Sequence, residues 1–210
     1  MIWIILFIVL LLIGPPITAY KELNKNISVD NFINEIKYDE LPKNIQKDIT
    51  KFNALIPDEF KMEILWKKQL ATMVLWRNKS QVILYTLPDN SITIETELSN
   101  SYSLTTYNNQ ASTNTPMPEN YFREVYPKIP LKELIEKHKN SLDCIKTKKE
   151  IFPLDDTSEQ NIKLNLFKGS LQIHKYVKSI PLYPLKAILW FYYYPFFNRY
   201  PSIESQLNKS

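Results

Sequence analysis

The chain has 210 residues, with 26 Lys and Arg against 22 Asp and Glu, 44% hydrophobic residues and a single cysteine, Cys144, which rules out an internal disulfide. Only two glycines are present, Gly14 and Gly169, and phosphate-cradling loops need glycine for positive φ and close backbone approach. No Walker A loop, dinucleotide fingerprint or G-x-S-x-G elbow can be formed from them, which sets aside nucleotide-binding enzymes and α/β-hydrolases.

Met1 to Ile13 carry no charge, and Gly14-Pro15-Pro16 ends the run. A helix crossing a bilayer needs about 20 mostly apolar residues, a length reached by extending the run to Tyr20. Residues 1–20 are therefore expected to form a transmembrane helix, with Trp3 and Tyr20 as interfacial aromatics. No Lys or Arg precedes the run, whereas Lys21, Lys25 and Lys37 follow it. This asymmetry predicts a single N-terminal span with the rest of the chain facing the cytoplasm. The competing reading is a signal peptide cleaved near Ala19, which makes the mature domain periplasmic or secreted. The missing leading cation and Ile17 at position −3 count against it.

Residues 21–157 read as an α+β domain. Asn31 to Lys37 suggests a turn of helix. Pro42 opens an amphipathic helix carrying Ile45, Ile49, Phe52 and Ile56 on one stripe. Four runs then have strand character: Ala71 to Trp76, Val82 to Leu87, Ile92 to Leu98, and the alternation of Tyr102, Leu104 and Thr106. The short polar turns between them predict a four-stranded antiparallel meander with one solvated face. Glu95 and Glu97 fall on that face. Asn108 to Asn120 is a polar loop, and its Asn109, Thr113, Pro116 and Pro118 are candidate contacts for a protein partner. Pro130 opens a second helix, with Leu131, Leu134, Ile135, His138, Leu142 and Ile145 on the stripe expected to cover the sheet. Lys146 to Thr157 reads as a loop. Helical spacing returns with Ile162, Leu166, Ile173 and Val177.

Residues 158–210 form a basic, aromatic-rich helical segment. Between Gln160 and Ile203 there are six cations and no Asp or Glu, although the whole chain carries only +4. Interfacial aromatics and lysines prefer a bilayer with anionic headgroups. Lys175, Lys178, Lys186, Trp190, Tyr192, Tyr193, Phe196, Phe197 and Arg199 are thus candidate membrane contacts, together with Trp3 and Tyr20. Aromatic core packing is the bland alternative. A platform for single-stranded nucleic acid spreads its aromatics over a sheet face, whereas Trp190 to Phe197 is one block, so nucleic acid is the less favoured partner.

Chemistry is sparse. His138 and His174 lack companions at metal-ligand spacing, and the place of His138 on an apolar stripe suits a hydrogen-bonded core histidine. Cys144 stands six residues from His138, about 240° around the helix, so the two cannot share a hydrogen bond. Glu95 and Glu97 form the one carboxylate pair on a common face, where solvation is the ordinary explanation. No catalytic residue, cofactor or metal ligand is assigned. The expected function is a membrane-anchored, non-catalytic protein that presents its α+β domain to a protein partner. An exported binding or hydrolytic domain and a nucleic-acid-binding protein are the alternatives.

Overall fold

Each strong period-two pattern becomes a strand, and the sheet extends beyond them at both edges. A computed structural model of the chain describes residues 34–68, 71–109, 116–154, 171–188 and 202–208, with positions 3, 13, 14, 17, 21 and 169. Its strands are β1 (Asn34–Glu35), β2 (Lys61–Lys68), β3 (Ala71–Arg77), β4 (Gln81–Leu87), β5 (Ser91–Leu98), β6 (Tyr102–Tyr107) and β7 (Tyr121–Val125). They lie side by side in sequence order. Neighbours pair antiparallel from β1 through β6, and β7 pairs parallel to β6. The four-stranded antiparallel meander is thereby corrected to a six-stranded mixed sheet, β2 to β7, which the two-residue β1 prolongs at one edge. Loop length explains the change of direction. A parallel neighbour needs a crossover of about a dozen residues, and Asn108 to Asn120 supplies it.

Two helices cover one face of this sheet: α1 (Lys43–Asn53) and α2 (Leu131–Lys149). Alternation along β5 buries Ile92, Ile94, Thr96 and Leu98; Ile92 and Ile94 pack with Val74, Trp76 and Ile83 from the sheet and with Leu131, Leu134 and Ile135 from α2. Phe52 of α1 stacks on Tyr85 at 3.9 Å between ring centroids and tilts against Trp76 at 5.2 Å. The indole Nε1 of Trp76 donates to Asn53 Oδ1 at 2.8 Å. Burial of each such side chain contributes about 1.5–3 kcal/mol, so this aromatic knot fixes α1 on the sheet.

The core also holds a polar strip along α2. His138 is fully buried, with Nε2 2.8 Å from Thr96 Oγ1 and Nδ1 2.8 Å from Thr106 Oγ1. Whichever tautomer it adopts, one nitrogen donates and the other accepts, so a neutral imidazole satisfies both hydroxyls. One turn further, Ser141 donates to the buried Glu124 of β7. The other oxygen of Glu124 accepts the backbone N–H of Ile203 at 3.2 Å.

Through that contact the C-terminal helix α5 (Ile203–Leu207) joins the core. We use α3 for the helix at 171–179 and α4 for Tyr183–Ile188. Ile203 and Leu207 pack with Leu98, Leu104, Phe122, Ile145 and Ile151. Gln206 completes the docking: its Oε1 accepts from Arg123 N at 3.0 Å and its Nε2 donates to Arg123 O at 2.7 Å. A side-chain amide thus takes the place of a neighbouring strand on the outer edge of β7, which otherwise presents unpaired backbone groups.

Glycine scarcity shows in the turns. Positive φ is carried by Asn90, Asn100, Ser101, Lys128, Glu150 and Leu182. Asparagine tolerates this region comparatively well. Glu150 caps α2 there, its N–H donating to Lys146 O at 3.2 Å. Leu182 forms the corner between α3 and α4.

Two further expectations need correction. Asn34 and Glu35 form β1, and a 3-10 turn follows at Tyr38–Glu40, where a helical turn over Asn31 to Lys37 was expected. The N-terminal transmembrane helix, and with it the single-pass topology and cytoplasm-facing localisation, is not supported. Among the described residues no helix is long and apolar enough to cross a membrane, and most of residues 1–20 lie outside the described residues. The expectation rested on hydropathy alone, which does not distinguish a span from other apolar segments.

Gln206→Ala is expected to expose the Arg123 amide and cost about 1–3 kcal/mol; hydrogen exchange and urea unfolding read both. Unchanged exchange at Arg123 would contradict the clamp. For His138→Leu, two core hydroxyls lose their partner, and we expect about 2–4 kcal/mol of destabilisation at pH 7. Burial lowers the His138 pKa to about 3 from 6.5. The unfolded chain therefore gains a proton first as pH falls below 6.5, and the contribution of His138 to wild-type stability declines down to about pH 3. The variant lacks this loss, so the gap in unfolding free energy should narrow on acidification.

Candidate functional site

His138, Ser141 and Glu124 supply the residue types of a nucleophilic triad, but not its geometry. Both nitrogens of His138 are engaged by threonines, and Ser141 donates directly to Glu124. All three side chains are buried. Tyr126 closes the group: its hydroxyl is pushed up to about 12 by burial, by the charge of Glu124 and by a hydrogen bond to that carboxylate. This strip holds α2, β7 and α5 together and offers a substrate no access.

The opposite face of the sheet differs in character. Alternation that sends even residues of β5 inward leaves Thr93, Glu95 and Glu97 on this second face, where all are partly buried. Register extends the pattern across the neighbouring strands. Glu95 faces Val82 on β4 and Thr105 on β6, and Thr105 faces Arg123 on β7. Glu97 faces Ser103, which faces Tyr121, and Thr93 faces Tyr107. Two rows therefore place Glu95, Thr105 and Arg123 beside Glu97, Ser103 and Tyr121. Toward the other edge, the Nε of Arg77 donates to Glu63 Oε1 at 2.7 Å.

Electrostatics mark the acid pair. Glu95 is raised from 4.5 to about 7, first by burial and then by the neighbouring charge of Glu97. Tyr107 is pushed up to about 12, chiefly by burial and then by Glu95, with Arg123 and a hydrogen bond to Thr105 opposing. Burial, Glu95 and Glu97 also raise Tyr121. Both phenols are therefore neutral donors at physiological pH. Ser103 is only 7% exposed and its hydroxyl has no hydrogen-bond partner. An unpaired buried hydroxyl carries a desolvation penalty that a ligand could relieve. Above this corner, Tyr121 donates to Gln172 Oε1 of α3 at 2.9 Å, and a Cβ added at Gly169 would lie 3.4 Å from that hydroxyl. The acid pair thus lies partly buried on this face of the sheet, beside the place where α3 meets Tyr121.

Residues singled out in the sequence are dispersed. Asn109 donates to Asp89 Oδ2 at 3.4 Å, Pro118 O accepts from Tyr121 N at 3.0 Å, and Pro116 is partly buried. Thr113 lies outside the described residues. Lys175, Lys178 and Lys186 are exposed on α3 and α4, and Trp3 is exposed. Tyr20, Trp190, Tyr192, Tyr193, Phe196, Phe197 and Arg199 lie outside the described residues. Glu95 and Glu97 were visible in the sequence as a pair, yet their surroundings were not. Ser103 and Tyr107 neighbour the pair through the β5–β6 register, and Tyr121 and Arg123 join them only once β7 pairs with β6. Among the described residues no group of three or more His, Cys, Asp or Glu could hold a metal ion.

Comparison with protein-family models, curated proteins and solved structures finds no match to this chain.

Ionising Glu95 works against folding, because its pKa is raised in the native state. Between about pH 4.5 and 7 the unfolded chain loses this proton while the folded chain keeps it, so the group's contribution to stability falls as pH rises. Glu95→Gln should stabilise the protein at pH 8 by about 1–3 kcal/mol and make little difference below pH 4.5. Equal urea midpoints for variant and wild type at pH 8 would show that Glu95 is not held in a desolvated place.

Proposed function

We propose that the chain is a non-catalytic binding domain that receives a basic side chain of a protein partner at the acid pair on the second sheet face. The supporting observation is the convergence of Glu95 and Glu97 with the buried, unpaired hydroxyl of Ser103. Two carboxylates supply charge for a lysine or arginine, and charge-assisted hydrogen bonds are the stronger kind. Tyr107 and Tyr121 flank them with aromatic surface, suited to a cation.

An acid–base role for the same pair is less favoured on geometric grounds. Residues two apart on one strand point the same way, about 7 Å apart. They therefore approach any ligand from one side, whereas carboxylates that cleave a glycosidic bond flank it. A one-sided pair suits holding a cation better than dividing acid and base duties.

The reading is tested by isothermal titration of the full chain with a lysine-rich peptide from pH 5.5 to 8.5. Affinity should rise as pH passes about 7 and Glu95 becomes charged. Glu95→Gln and Glu97→Gln should each weaken binding at pH 8 by roughly tenfold, and the former should also flatten the pH profile. Binding that is absent, or indifferent to both substitutions, would remove this proposal.

A further inference from the structure

The α3–α4 corner divides its side chains sharply between two faces. Inside, Val177 is fully buried, with Ile173, Tyr176, Ile180 and Tyr183 packed around it. Outside, Leu182 is 70% exposed and Leu185 59% exposed. Backbone bonds hold this turn: Tyr183 N donates to Ile180 O at 3.1 Å, and Leu185 N and Lys186 N both donate to Leu182 O. At its apex Leu182 adopts φ 56°. That region is natural to glycine and disfavoured for leucine, and burial of the side chain does not offset the strain. Conformational strain retained at an exposed apolar apex is a reason to look for something the apex touches.

Charge identifies the occupant. Lys175, Lys178 and Lys186 are exposed around the two leucines, within a stretch from Gln160 to Ile203 that holds no acid. Leucines that enter acyl chains beneath lysines that meet headgroups are the two halves of interfacial attachment. We propose that this corner docks on an anionic lipid surface, with Leu182 and Leu185 inserted and Lys175, Lys178 and Lys186 paired with lipid phosphates or carboxylates. Nucleic acid offers the same phosphates but gives the protruding leucines no apolar layer to enter. Its bases stack on aromatics, and Tyr176 and Tyr183 are committed to the inner cluster. Attachment is peripheral: α4, at six residues, is far shorter than the roughly 20 needed to cross.

Cosedimentation of the full chain with vesicles of phosphatidylcholine alone, or mixed with phosphatidylserine, tests this. Wild type should partition preferentially to the anionic vesicles and release at high salt. Leu182→Glu with Leu185→Glu should lower partitioning at least about tenfold, while Lys178→Gln with Lys186→Gln should lower it roughly 25-fold and erase the lipid preference. All four positions are exposed, so the thermal midpoint should be unchanged, and partitioning is compared only between variants that keep it. Leu182→Gly relieves the strain but removes the insertion and should also weaken binding. Wild type that ignores anionic vesicles overturns the proposal. So does retention by the leucine variant, which would reveal charge attraction alone, and so does binding through other segments that neither variant alters.

Discussion

The period-two alternation of β5 is the constraint on which the molecule depends. One residue in two must enter the α1–α2 core, and the residues between them have no choice of face. Ile92, Ile94, Thr96 and Leu98 are therefore tied to Thr93, Glu95 and Glu97. A register slip by one residue would drive two carboxylates into the apolar core and turn four core side chains outward. The fold and the acid pair stand or fall together.

Around that strand the protein uses polar groups where a simpler core would use hydrocarbon. His138 spans Thr96 and Thr106, and Glu124 receives Ser141 and the N-terminus of α5. Such a strip adds little net stability per bond, yet it discriminates strongly between registers, because a displaced partner leaves a buried polar group unsatisfied. Gln206 extends the same logic to the sheet edge, where its amide meets both backbone groups of Arg123. The short C-terminal helix is located by hydrogen bonding as much as by the burial of Ile203 and Leu207.

Strong local patterns were legible in the sequence. Apolar, β-branched and aromatic runs marked β3 and β4, clean alternation marked β5 and β6, and the apolar stripes after Pro42 and Pro130 marked α1 and α2, including the buried place of His138. The outer strands were not legible, for physical reasons. Lys61–Lys68 carries lysines at both ends and a bulge between Met62 and Ile64, which breaks alternation where a sequence reading needs it. Tyr121–Val125 is five residues long and interrupted by Arg123 and Glu124, whose roles exist only in three dimensions. Missing β7 hid the row from Glu95 to Arg123, and Glu95 and Glu97 consequently read as ordinary solvated carboxylates. The N-terminal run was over-read, since hydropathy alone was asked to decide topology. Scarcity of glycine pointed away from phosphate loops, but its other consequence, a leucine in a left-handed corner, could not be located from composition.

Two strongly perturbed groups among the described residues give stability opposing pH dependences. His138, neutral in the core with its pKa lowered to about 3, makes stability rise with pH between about 3 and 6.5. Glu95, raised to about 7, makes stability fall with pH between about 4.5 and 7. Each contributes a slope approaching 1.4 kcal/mol per pH unit, with opposite signs over the shared window from about 4.5 to 6.5. The contributions of these two groups offset each other there. Only above that window does Glu95 take up charge in the folded protein, when His138 is neutral in both states and no longer contributes. A carboxyl that titrates near neutrality can thus change its charge, and with it the affinity of the acid pair for a cation, in a pH range where His138 no longer titrates.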